Sequence, residues 1–234
     1  MGDIFGFGGR SVGRSQKRQQ KGADLEMMMS VNFEEAIFGT EKEVSLKKNI
    51  ECDRCKGQGA EPGTDIKTCS TCGGQGVVNQ VQRTILGHVK VQQACPDCHG
   101  EGKTYTHKCK KCSGKGVVKD KVKLKVKIPA GIKDGQSIRL SGQGEAAPKG
   151  GVNGDLYIVV RVESHSFFTR EGDNIRSTEY IDIKQAILGD TIKISTVDGK
   201  VSLKIPEGTQ SSTVFRLKGK GAYGLNSRVR GDHL

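Results

Sequence analysis

The sequence predicts a mainly β protein: two tandem, related β-sandwich-like domains, the first interrupted by a β-hairpin-rich, cysteine-rich module. Three observations predict this. Apolar and polar residues alternate at the two-residue period of half-buried strands on both sides of a central stretch. The segments flanking that stretch recur farther along the chain at constant offsets. All eight cysteines fall inside the stretch, in four copies of CxxCxGxG.

Taken in order, residues 1–23 are rich in Gly, Arg and Gln and read as the end of a flexible Gly/Phe-rich linker, since Gly2-Asp3-Ile4-Phe5-Gly6-Phe7-Gly8-Gly9 cannot build a core. Order is expected from Asp24. Leu25, Met27, Met29 and Val31 alternate as in a strand. Asn32-Phe33-Glu34-Glu35-Ala36-Ile37-Phe38-Gly39 then reads as a short helical turn, with Asn32 and Glu35 at capping-box spacing and Gly39 as its stop. Val44 and Leu46 share one face of the next strand. Beyond the cysteines, Val122 to Ile128 alternates without a fault, lysines on one face, until Pro129-Ala130-Gly131 ends it. With 33 glycines, many turns and no long helix are expected.

The duplication organises the rest. Ile128-Pro129-Ala130-Gly131 returns as Ile205-Pro206-Glu207-Gly208, Arg139-Leu140-Ser141-Gly142 as Arg216-Leu217-Lys218-Gly219, and Gly154-Asp155 as Gly231-Asp232, all at an offset of 77. Upstream, Ala36-Ile37-Phe38-Gly39 returns as Ala186-Ile187-Leu188-Gly189, and the capping box as Asp182 and Gln185, at an offset of 150. The first copy therefore holds 73 extra residues between two strands that the second copy joins by a tight turn at Asp198-Gly199. The expected boundaries are 1–23 linker, 24–51 plus 121–163 first β-domain, 52–120 inserted module, and 164–234 second β-domain.

Composition narrows the function classes. No apolar run approaches the ~20 residues of a membrane span, and Met1-Gly2-Asp3-Ile4-Phe5-Gly6 is not a secretion signal. Without that signal, CxxC pairs favour metal over disulfides. The formal charge of +12 falls to roughly +8 once eight thiolates and two divalent ions are counted. With no Trp and only 5% aromatic residues, a zinc-containing nucleic-acid-binding protein is the weaker alternative.

The pairs are Cys52/Cys55, Cys69/Cys72, Cys95/Cys98 and Cys109/Cys112, each followed by an x-Gly-x-Gly tail. Two intervening residues let both sulfurs turn onto one ion, and the glycines permit left-handed angles that bring amides towards the thiolates. One pair is half of a tetrahedral zinc site, so two zinc ions are expected per chain. The module leaves from adjacent strands, which sets the first pair beside the fourth. Val77 to Ala94 reads as a hairpin whose base joins the second and third. Hence Cys52, Cys55, Cys109 and Cys112 should hold one zinc, and Cys69, Cys72, Cys95 and Cys98 the other. The rival for a CxxC is thiol-disulfide exchange, which needs an accessible thiol of low pKa. The histidines, His99 inside a knuckle included, are not needed as ligands.

Fourfold CxxCxGxG inserted in the first of two related β-domains, after a Gly/Phe segment, resembles type I DnaJ co-chaperones. Asn32-Phe33-Glu34-Glu35-Ala36, Gly142-Gln143-Gly144-Glu145-Ala146 and Gly154-Asp155-Leu156-Tyr157 strengthen the match, which covers essentially the whole chain. The family's nested zinc pairing agrees with the one argued above. The resemblance implies a non-enzymatic chaperone module of a bacterial cytoplasm or an organelle matrix. Such a module binds exposed apolar segments of unfolded or stress-denatured proteins and delivers them to a DnaK-type ATPase chaperone, which works with a nucleotide-exchange factor. The family's client groove falls by alignment on Leu25, Val44, Leu46, Leu124 and Ile158. No histidine here precedes a proline, so the His-Pro-Asp of a J-domain is missing, and the second copy stops at Gly231-Asp232-His233-Leu234. The chain thus reads as a fragment without the J-domain and the C-terminal dimerisation segment. It is expected to be monomeric where the full-length family is homodimeric.

Overall fold

The computed structural model describes residues 21–84, 87–225, 227 and 229–234. The linker glycines and phenylalanines expected in 1–20, and the hairpin tip at 85–86, lie outside the described residues. The chain is tied down from Lys21, which bridges Val152, while Gly22 donates to the Val152 carbonyl. Order thus includes Lys21 and Gly22, ahead of the expected Asp24.

Strand β1 (Leu25–Val31) leads into helix α1 (Phe33–Phe38), whose capping box is formed: the Asn32 side chain accepts from the N3 amide, and the Glu35 carboxylate accepts from the Asn32 amide. Gly39 then stops the helix at positive φ. Next comes β2 (Thr40–Glu51). The module contains β3 (Ile66–Thr68), β4 (Val77–Thr84), β5 (Gly87–Ala94) and β6 (Lys103–Tyr105). The chain returns through β7 (Val117–Ile128), β8 (Ser137–Leu140) and β9 (Leu156–Val162). The second copy follows as β10 (Thr169–Glu171), β11 (Asn174–Arg176), α2 (Ile183–Leu188), β12 (Asp190–Thr196) and β13 (Gly199–Ile205).

β2 and β7 pair antiparallel from Thr40 opposite Ile128 to Glu51 opposite Val117, so the module leaves from the far end of one ribbon. β7 begins at Val117, four residues before the expected boundary, because Val117 and Val118 still have partners on β2. β1, β9 and β8 form a separate sheet, β1 running parallel to β9 and β8 antiparallel to it. The two sheets close over one core of Met29, Val31, Ala36, Val44, Val126, Ile128, Ile132, Leu156, Ile158 and Val160. β1 is therefore not a neighbour of β2 within a sheet; it meets β2 across the sandwich.

The second copy repeats this plan. β12 pairs with β13, and Thr196 lies opposite Gly199, so the two-residue loop is Val197-Asp198, one residue earlier than expected. Ile175 and Leu217 both bridge His233, in the positions that Leu25 and Leu140 take against Leu156. The Gly142 amide donates to Asp155 and the Gly219 amide to Asp232, each at 2.8 Å. The copies also touch. Phe33 and Ile37 of α1 pack against Phe168, Ile175 and Ala222, and the Arg170 guanidinium donates to the carbonyls of Gly131 and Ile132 at 2.8 and 2.6 Å.

Candidate metal centres

The two halves of the module meet because β2–β7 and β3–β6 hold its ends together while β4–β5 closes its middle. The sulfurs of Cys52, Cys55, Cys109 and Cys112 lie within 4.8 Å of one another, and so do those of Cys69, Cys72, Cys95 and Cys98; all eight residues are buried. Facing sulfurs are 3.9 Å (Cys52–Cys109) and 3.6 Å (Cys55–Cys112) apart in the first cluster, and 3.8 Å (Cys69–Cys95) and 3.6 Å (Cys72–Cys98) in the second. These are far from a disulfide length. Four sulfurs placed tetrahedrally about 2.3 Å from an ion stand about 3.8 Å apart. The donor set fits a soft or borderline cation of tetrahedral preference.

Electrostatics point the same way. Burial pushes the Cys55 thiol up to about 12, while the Cys112 amide, the leading cause, helps bring Cys109 down to about 7. Four thiolates cannot share so small a space unless a positive ion sits among them. One amide in each knuckle is already aimed inward. Gly59, Gly76, Gly102 and Gly116 donate to the Sγ of Cys55, Cys72, Cys98 and Cys112 at 3.1–3.3 Å.

The tail has a steric reason. The residue after the second cysteine adopts positive φ in every knuckle: Lys56, Gly73, His99 and Ser113. That requirement at a non-glycine position left no mark in the sequence. The last glycine also faces the partner knuckle's backbone. A Cβ on Gly59 would stand 2.5 Å from the Gly114 carbonyl oxygen, and Gly76, Gly102 and Gly116 leave less room still. Gly76→Ala should therefore pry open the second cluster alone. Alkylation of the native variant is expected to reach Cys69, Cys72, Cys95 and Cys98 but not the first four cysteines; unchanged reactivity would refute the packing argument.

The sequence-derived client residues divide. Leu25, Leu46 and Leu124 are half-buried and pack against the edge of the first core. Val44 is 9% exposed, and Ile158 is fully buried at the centre of β9. Ile158 sits in the core because the middle strand of the three-stranded sheet turns it onto the facing ribbon. Among the described residues β2 has no strand partner but β7. Its other edge is engaged at Asn49, which accepts from the Ala146 amide and donates to the Glu145 carboxylate, and carries no strand beside the half-buried leucines.

The DnaJ C terminal domain family model matches residues 25–234. The chain is 50% identical over 231 residues to "Chaperone protein DnaJ" of Macrococcus caseolyticus, covering 98% of this chain and 62% of that protein. It is 46% identical over 229 residues to the protein of the same name in Halorubrum lacusprofundi, at 98% and 59% coverage. A third, in Methanothermobacter thermautotrophicus, is 46% identical over 219 residues, at 94% and 57%. The chain spans about three fifths of the length of these relatives.

Proposed function

The chain belongs to the DnaJ family, and on that premise we propose that it is a non-catalytic chaperone module. It captures exposed apolar segments of unfolded polypeptides and passes them to a DnaK-type ATPase, in the bacterial cytoplasm or an organelle matrix. The observation that carries this reading is the half-open apolar strip of Leu25, Leu46 and Leu124 beside the stretch of the β2 edge, ahead of Asn49, that has no strand partner among the described residues. An extended client can add to that edge through main-chain hydrogen bonds, which carry no sequence information, and set one apolar side chain among the leucines. Val44 forms the floor. Binding is weak because a client offers few anchors and loses entropy on being ordered.

In the same reading each sulfur cluster holds one zinc ion, liganded by Cys52, Cys55, Cys109 and Cys112 in the first site and by Cys69, Cys72, Cys95 and Cys98 in the second. With every ligand position filled by a buried thiolate, such a site is structural rather than catalytic, which also argues against thiol-disulfide exchange. No helix among the described residues is long and apolar enough to cross a membrane.

The test is suppression of aggregation of a chemically denatured protein diluted into buffer with this chain. The chain is expected to suppress light scattering at a few-fold molar excess, and Leu46→Ser to require several-fold more. Equal protection by the wild type and Leu46→Ser would remove the groove from the proposal; no protection by either would remove the chaperone reading.

A further inference from the structure

The outer face of the β2–β7 ribbon changes character along its length. The register sets Glu41 opposite Lys127 and Glu43 opposite Lys125 at the end nearest α1. Towards the module it sets Ser45 opposite Lys123, Lys47 opposite Lys121 and Asn49 opposite Lys119. The first two rungs are charge-balanced, whereas the next three carry four lysines and no carboxylate. All four lysines are exposed. Asp120, between two of them in sequence, falls on the alternate face opposite Lys48. Among the described residues, lysine ion pairs engage Lys21, Lys42, Lys111, Lys133, Lys149 and Lys220, and none of the four.

Lys47 and Lys121 are direct cross-strand neighbours, where like charges destabilise a strand pair. Two rungs away the same ribbon uses the favourable Glu–Lys arrangement, so the fold does not demand the unfavourable one. A charge cluster that weakens the ribbon bearing it, with no internal partner, fits a surface for an external anion.

We propose that this lysine ladder docks an extended acidic segment of a partner polypeptide, with every second side chain a carboxylate. Same-face residues on a strand repeat at about 6.6–6.8 Å, and so do alternate side chains of an extended peptide, so the two rows of charge stay in step. The rungs contain no arginine fork for bidentate phosphate recognition and no aromatic ring for base stacking, which favours a polypeptide over RNA. The ladder occupies the face opposite Val44, Leu46 and Leu124, so an acidic segment and an apolar client would bind without competing.

Fluorescence anisotropy with a short labelled peptide alternating Glu and Ser tests this, beside its Gln/Ser counterpart and a single-stranded oligouridine. The acidic peptide is expected to bind with an affinity that falls as salt is raised; the Gln/Ser peptide should not bind. Lys47→Glu should weaken acidic-peptide binding at least about tenfold, while the melting temperature holds or rises as a carboxylate opposite Lys121 replaces a like charge. Lys125→Ser, on a balanced rung, should change nothing. Undiminished binding by Lys47→Glu, equal binding of the Gln/Ser peptide, or tighter binding of the RNA at the same ionic strength would each overturn the proposal. Apolar-peptide affinity measured on the same variants reports on the groove separately.

Discussion

Stripping metal from this chain with a strong chelator is expected to unfold residues 52–116 and to leave the second β-unit standing. The module has almost no core of its own. Its two buried clusters are the cysteines themselves, with Val118 and Val78 as the partly buried apolar neighbours. Two of its strands, β3 and β6, are three residues long. Structural zinc sites contribute apparent binding free energies of about 10–16 kcal/mol, as much as a whole domain's typical stability of about 5–15 kcal/mol. Nothing else in the module can replace that. β12 and β13 close their hairpin with a two-residue loop and use no cysteine, so the second unit has nothing to lose. Amide exchange should show protection vanishing at Ile66–Thr68 and Lys103–Tyr105 and persisting at Asp190–Thr196. The Thr40 end of β2 should also hold, because Val44 and Val126 remain in the first core.

The sites should also be separable. Cys69 and Cys95 are 26 residues apart, whereas Cys52 and Cys109 are 57 apart and enclose them. Closing the longer loop costs only about 0.7 kcal/mol more by chain entropy, small against the metal term. Cys52→Ser should therefore lose one zinc and keep the inner one. Elemental analysis that finds one zinc or none in the reduced wild type, or none in Cys52→Ser, would sink the nested, independent pair.

The nested sulfur pairing was legible in the sequence because spacing, tail and duplication all constrain it. The difference of 73 residues between the two offsets placed the insertion between two strands, and β2 and β7, which flank the cysteines, pair from Thr40 opposite Ile128 to Glu51 opposite Val117. Sheet membership was not legible. Alternation tells which residues of β1 share a face but not which strand lies alongside, and its partner β9 begins at Leu156, far down the chain. Exposure escaped for the same reason. Phe33 and Ile37 of α1 are buried against the second copy, whereas their counterparts Ile183 and Ile187 in α2 are 76% and 60% exposed. Identical local pattern gives opposite burial because only α1 has a neighbouring unit upon it among the described residues. Ile158 alternates as Leu46 does, and the position of β9 in the middle of its sheet is what buries it in the core.

Ile158→Ser and Leu46→Ser are expected to separate core from groove by which quantity each one moves. Ile158 is fully buried among Leu156, Val160, Val44 and Val126. Serine there removes a branched side chain, leaves a cavity and buries a hydroxyl, at a cost of about 3–5 kcal/mol. That is a large share of a small domain's stability, and the melting temperature should fall sharply. Affinity for an apolar peptide, measured per folded molecule, should stay within about twofold. Leu46 is half-buried at the margin of the same core, so its loss forfeits roughly half of a leucine's transfer free energy, about 1 kcal/mol, and opens no closed cavity. Its effect should appear in peptide affinity instead, since it removes an apolar anchor beside the unpartnered stretch of the β2 edge. Lys125→Ser, on the opposite face of the ribbon, should move neither quantity. A Leu46→Ser protein as destabilised as Ile158→Ser, with unchanged peptide affinity, would make Leu46 ordinary core and withdraw the groove; the reverse pattern at Ile158 would mean that β9 opens to the client.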